Sequence, residues 1–225
     1  MSARHWMASR RSFAMLLTAS WLVLGLSACS SLSTRPLRAA VYDFGPGALA
    51  AATSTQPAVL PLLALADVDF SGGALDNLAV LYRLGYADPQ QLRPYAQALW
   101  SMPAASLVQQ RLSQVLSQQH TVVPAGEGAA MTRVQGKLPL MLRVELEEFS
   151  QFFESPTVSF ALLRLRATVV QKTAAGAKVL AQRQVLSRQP ADTPDAPGGV
   201  RALAEATDAA ACEVAVWLAQ VEAAR

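Results

Sequence analysis

The sequence predicts an α+β fold, a two-layer sandwich in which two main helices cover one face of an antiparallel-rich mixed sheet. Three observations carry this expectation. The chain has 225 residues, 52% hydrophobic and 16% charged, which is enough apolar surface for a sizeable core and too much for a disordered chain. Two long runs alternate with the period of a strand. In 138–147, Leu138, Leu140, Leu142, Val144 and Leu146 share a face; in 158–171, Ala161, Leu163, Leu165, Ala167 and Val169 do. Two other runs recur at three and four residues: Leu107, Val108, Leu112, Val115 and Leu116, then Val200, Leu203, Thr207, Ala210, Val214, Trp217 and Val221. Elements with one apolar side hide it by packing in layers.

The N-terminus stands outside that fold. Arg4, Arg10 and Arg11 precede an uncharged apolar stretch, 13–26, shorter than the roughly 20 residues a bilayer span needs. It closes on Leu26-Ser27-Ala28-Cys29, which resembles a bacterial lipobox. Residues 1–28 are therefore expected to be a signal peptide that is removed, leaving Cys29 lipidated at the head of the mature chain. Ser30 follows, a residue that in lipoproteins as a class permits transfer to the outer membrane. Residues 29–38 read as a lipidated tether reaching at most about 30 Å, and 39–225 as a single domain without internal repeats. The three arginines leave with the signal, so the mature chain has as many acids as bases. Its charge favours neither nucleic acid nor an anionic surface.

Along the domain, 39–44 is a first strand stopped by Gly45-Pro46-Gly47. A mobile loop, 48–56, leads to a second strand, 59–68, whose Pro61 belongs at an edge. Ser71-Gly72-Gly73 is a turn and Leu75-Asp76-Asn77 a short helical turn. The next strand is 78–84, broken by Asp88-Pro89; 95–100 is another short strand. Ser101 reads as a helix N-cap, with Pro103 in the first turn and the helix ending near His120. Glu148 interrupts the alternation of 138–147 and predicts a bulge or bend. A hairpin through Gly176 joins 158–171 to a partner strand, 179–187. Glu145 and Glu147 can then meet Arg164 and Arg166 across the solvent face. Residues 189–199 are a loop, and the last helix follows from Val200.

Catalytic chemistry finds little footing. His120 is the one histidine after the signal, beside a glutamine run, and reads as a surface or helix-end residue. Cys212, in an alanine-rich helix, reads as a buried inert thiol. The carboxylate pairs Glu145/Glu147 and Asp67/Asp69 fit solvated strand faces better than a metal or acid–base site. Trp100 and Trp217 read as core anchors. The expectation is a non-enzymatic protein with no cofactor and no metal.

Several segments in order resemble the ABC-type transport auxiliary lipoprotein family, which includes the lipoprotein of the paraquat-inducible (Pqi) system that works beside MCE-domain proteins. They are Tyr42-Asp43-Phe44-Gly45, Leu75-Asp76-Asn77, Leu81-Tyr82-Arg83, 95–100, 103–116, 140–153 with its Phe149-Ser150-Gln151-Phe152 end, Asp195-Ala196-Pro197-Gly198-Gly199, and 200–217. Ala74 stands where the family pattern has tryptophan, and Pro103 is alone where it has two prolines. The resemblance implies an outer-membrane lipoprotein on the periplasmic face. It would dock the periplasmic MCE conduit of an inner-membrane ABC transporter that moves lipids between membranes. Tyr82, Arg83 and Trp100 are the expected partner contacts, and a homo-oligomer is left open. The alternative is a general envelope lipoprotein supporting assembly of an outer-membrane or cell-wall machine.

Overall fold

The computed structural model describes residues 38–46, 60–70, 78–126, 138–173 and 176–224. The signal, Cys29 and Ser30, the loop at 48–56 and the turns at 71–77 lie outside these. The described strands are β1 (Ala40–Tyr42), β2 (Leu62–Leu65), β3 (Asp69–Phe70), β4 (Ala79–Leu84), β5 (Asp88–Trp100), β6 (Thr121–Pro124), β7 (Leu140–Phe153), β8 (Ser159–Thr173) and β9 (Gly176–Pro190). The helices are α1 (Ala104–Leu116) and α2 (Ala196–Ala223). The fold is α+β.

One strand organises the sheet. Along one edge β7 pairs in succession with β2, β3 and β4, all parallel; along the other it pairs antiparallel with β8, which carries β9. β4 continues antiparallel to β5 and then to β1, while β2 carries β6. Both edges of β7 are thus occupied. This fits its nearly continuous burial, in contrast to the exposed outer strand β9.

The alternation of 138–147 does what it predicts. Leu140, Leu142, Val144 and Leu146 face the helices, and Leu163, Leu165, Ala167 and Val169 join them from β8. A register shift between Leu146 and Glu148 marks the expected bulge. Beyond it the core-facing set becomes Phe149, Gln151 and Phe153, and Glu147 and Glu148 both turn to the open face. α1 contributes Leu107, Val108, Leu112 and Leu116 to the core; α2 contributes Leu203, Ala206, Ala210, Val214, Trp217 and Leu218.

Several boundaries differ from the sequence expectation. β5 begins at Asp88, so Asp88-Pro89 opens a strand and the hairpin turn is Gly85–Ala87, closed by Ala87 N–H on Leu84 O at 3.0 Å. Pro89 sits where the strand is exposed and its missing N–H is harmless. The run at 59–68 holds only the short strand β2, and β3 follows just beyond it. β6 was not expected; its Thr121-Val122-Val123 is a short β-branched signal after a helix end. α1 is capped at Pro103 with no side-chain bond. Ser101 lies two residues ahead of that cap, where its N–H is bonded to Tyr42 O at 2.7 Å. α1 ends at Leu116. α2 starts at Ala196, ahead of Val200, because Asp195 caps it and Pro197 fits the first turn.

Candidate functional site

Leu81-Tyr82-Arg83, Tyr95, the Phe149–Phe153 end of β7 and Asp195–Gly199, far apart in sequence, meet at one end of the sheet, where the β4–β5 and β7–β8 turns and the start of α2 lie together. Arg83 on β4 grips Glu148 with two bonds, Nη2 to Oε2 at 3.0 Å and Nε to Oε1 at 3.2 Å. Its Nη1 donates to Pro89 O and Gln90 O at 3.2 and 3.0 Å. One guanidinium therefore ties the hairpin to β7, using the forked geometry that lysine lacks. Ser150 Oγ donates to Glu148 Oε1 at 2.7 Å, so the buried carboxylate is well satisfied.

On the helix side of the sheet the groups are neutral. Tyr82 stacks on Tyr95 with centroids 4.5 Å apart and meets Phe153 edge-on at 5.9 Å. Tyr95 Oη donates to Gln151 Oε1 at 2.7 Å, and Gln151 Nε2 donates to Ser159 Oγ at 2.8 Å. Gln151 is fully buried. Burial, with smaller contributions from Tyr82 and Asp195, pushes the Tyr95 hydroxyl well above its ordinary pKa, so it remains a donor at any physiological pH. α2 presses its first turn on this chain. A side chain at Gly199 would overlap the Gln151 amide, and one at Gly198 would overlap Thr193. Asp195 caps that turn, accepting from Gly198 N–H at 2.9 Å and Thr193 Oγ1 at 2.6 Å. These bonds, helped by the Arg201 charge, hold its carboxyl below the usual range against a slight burial penalty.

Of the expected partner contacts, Tyr82 and Arg83 lie at this end, both partly exposed. Trp100 does not. It is 1% exposed, packed edge-on to Phe44 at 5.6 Å and against Phe149 at 5.8 Å, and presents no surface to a partner. It is the core anchor that its type suggests, as is Trp217. Two other expectations are corrected. His120 is buried, because the chain turns inward there to start β6, and its Nε2 meets both Glu222 oxygens at 3.1–3.2 Å. Cys212 is exposed, because it falls on the outer side of α2. The carboxylate pairs form the predicted ladder: Glu145 with Arg166 at 3.2 Å, and Glu147 with Arg164 at 3.0 Å and with Arg166. Asp67 accepts from Gln109 Nε2. Sequence reasoning missed Tyr95, Gln151 and Ser159 as one network. The available signal was a glutamine standing between Phe149 and Phe153 on an otherwise apolar strand face.

A second feature lies between β1 and the helices. A cleft of about 400 Å³ is lined by Val41–Gly45, Ser101, Val200, Arg201 and Ala204, and a smaller one of about 120 Å³ opens beside it toward Arg111. Arg111 is buried and already engaged, with Asp208 Oδ1 at 3.2 Å and Phe44 O at 2.9 Å. Burial raises the Asp208 carboxyl although Arg111 pulls it down. Among the described residues, no three or more His, Cys, Asp or Glu side chains gather closely enough to hold a metal ion. No described helix is long and apolar enough to cross a membrane.

The sequence matches the family model of the ABC-type transport auxiliary lipoprotein component over residues 42–215. Among solved structures, it is similar to protein XCC0632 from Xanthomonas campestris, of the DUF330 family, with 15% identity and a TM-score of 0.60 over 81% of this chain and 96% of that one. An uncharacterized protein matches with 13% identity and a TM-score of 0.58 over 80% and 99%. At such identities the likeness speaks for the fold alone. No curated protein matches the sequence.

Proposed function

Since the chain belongs to the ABC-type transport auxiliary lipoprotein family, we propose that it is a non-enzymatic, lipid-anchored subunit of an MCE/ABC-type intermembrane lipid transport system. Its task is to dock the periplasmic conduit at the outer membrane. The observation that carries this reading is the family match, which runs from β1 into α2 and takes in every segment that meets at the turn-bearing end. The side chains there support it. Arg83, Tyr95, Gln151 and Asp195 spend their polar atoms on neighbouring side chains and on the backbone, which fixes a surface. Cys29 supplies the anchor and Ser30 permits outer-membrane sorting, while Tyr82 and Arg83 border the partner surface.

Crosslinking in cells followed by purification of the native protein tests it. MCE-domain and ABC subunits are the expected captures. Recovery of a barrel-assembly or cell-wall machine in their place would defeat the reading, as would a native protein found wholly in inner-membrane fractions for its outer-membrane part.

A further inference from the structure

We propose that the tips of the β4–β5 and β7–β8 turns rest on the lipid surface, with Tyr86 and Val158 in the interface and the sheet faces that carry Tyr82 and Arg83 left to the partner. This rests on the anchor reading above and adds an orientation to it. Direction of entry is the first argument. β1 runs parallel to β5, and β5 departs from the β4–β5 turn. Arg38 and Ala39 therefore enter β1 from the side of that turn, and that is where the tether is fastened.

Reach is the second argument. β8 has 15 residues and, at about 3.3 Å each, is roughly 50 Å long. Residues 30–38 span at most about 30 Å. A tether shorter than the sheet, fastened toward one end, favours contact at that end.

The third argument is what stands there. Tyr86, 49% exposed, tops the β4–β5 turn, and Val158, 53% exposed, ends the adjoining β7–β8 turn. The two turns touch through Gly85 N–H on Phe153 O at 2.8 Å. Several N–H groups of the tips are engaged: Ala87 on Leu84 O, Glu154 on Val158 O, and Thr157 and Val158 on Ser155 Oγ. They can thus meet the lipid interface with few bare amides. A tyrosine is suited to that layer, its ring toward the acyl chains and its hydroxyl toward water.

The mature lipidated protein, reconstituted in phosphatidylcholine vesicles whose acyl chains are brominated near the headgroup, provides the test. Tyr86→Trp and Val158→Trp are compared with Val179→Trp, which is as exposed but lies at the opposite end of the β8–β9 ladder. Wild-type emission is subtracted, and circular dichroism checks the fold of each variant. The two turn variants should lose a several-fold larger share of their emission than Val179→Trp and shift to the blue. Equal or greater quenching at Val179→Trp overturns the orientation. So does the absence of quenching at both turns when mass spectrometry shows lipid on Cys29, and in that case the anchor stands. An unlipidated Cys29 removes both the anchor and this inference.

Discussion

The two ends of the sheet secure their buried polar groups in different ways. At the turn-bearing end, Tyr95, Gln151 and Ser159 form a neutral chain with short bonds, closed over by a glycine with no room for a methyl group. At the other end, His120 and Glu222 join the end of α2 to the entry of β6 through one ring nitrogen, and the His120 Nδ1 atom is buried without a partner. The first arrangement depends on several close fits at once. The second is a single clasp with a partly exposed partner. Cooperative networks of buried polar groups resist deformation, whereas a single clasp has no neighbouring bond to reinforce it. The turn-bearing end is therefore the more exactingly built, as expected of a surface that must keep its shape.

Gly199→Val breaks the tighter end most directly. Helix propensity alone predicts that replacing a glycine within α2 helps, since glycine is about 1 kcal/mol worse than alanine in a helix. The Gln151 amide occupies the space that the new side chain needs. We expect a loss of about 3 kcal/mol from overpacking and broken hydrogen bonds, measured by denaturant unfolding. A neutral or stabilising result would mean that α2 lifts easily, and the contrast between the ends would vanish.

Tyr95→Phe keeps the ring stack on Tyr82 and removes only the hydroxyl. Gln151 Oε1 is left buried without its donor, so stability should fall by about 1–2 kcal/mol. The slope of the unfolding transition should not change.

Glu222→Gln tests the looser end. Glu222 is 26% exposed in its side chain and lies in the last turn of α2, where a negative charge opposes the helix dipole. Glutamine keeps a side-chain oxygen for the His120 ring and removes the charge that opposes the dipole, so stability should change by less than about 1 kcal/mol. An effect as large as that of Tyr95→Phe would make the two ends equivalent.

The two regions also differ in how far the sequence discloses them. The strands around β7 were legible because period-two alternation is a local signal, and the break at Glu148 announced the bulge. The Glu145/Glu147 ladder with Arg164 and Arg166 followed from register. Burial of His120 was not legible. It depends on Glu222, about a hundred residues away, and nothing beside His120 points inward. Trp100 offered two readings, core or contact, and only the packing of Phe44 and Phe149 around it decides for the core. The start of α2 was hidden because proline and glycine mark loops as often as helix starts. There the Asp195 cap and the Gln151 contact turn Pro197, Gly198 and Gly199 into a first helical turn.

The smallest expected effect concerns that same cap. Asp195 is an exposed carboxylate whose pKa is lowered chiefly by the Thr193 hydroxyl, then by the Gly198 N–H, with a weaker contribution from Arg201. A group held below its ordinary value of about 3.9 binds fewer protons in the folded chain than in the unfolded one. Its stabilising contribution is complete at neutral pH and is lost as the pH falls below that ordinary value. Asp195→Asn keeps a side-chain oxygen for the Gly198 N–H but abolishes the titration, so near pH 7 the change should be small. As acid is added, the wild-type unfolding midpoint should fall more steeply than that of the variant, and the two curves should converge. Parallel curves would mean that the cap acts through hydrogen-bond geometry alone. The start of α2 would then be held by geometry, as the Tyr95–Gln151–Ser159 chain beneath it is.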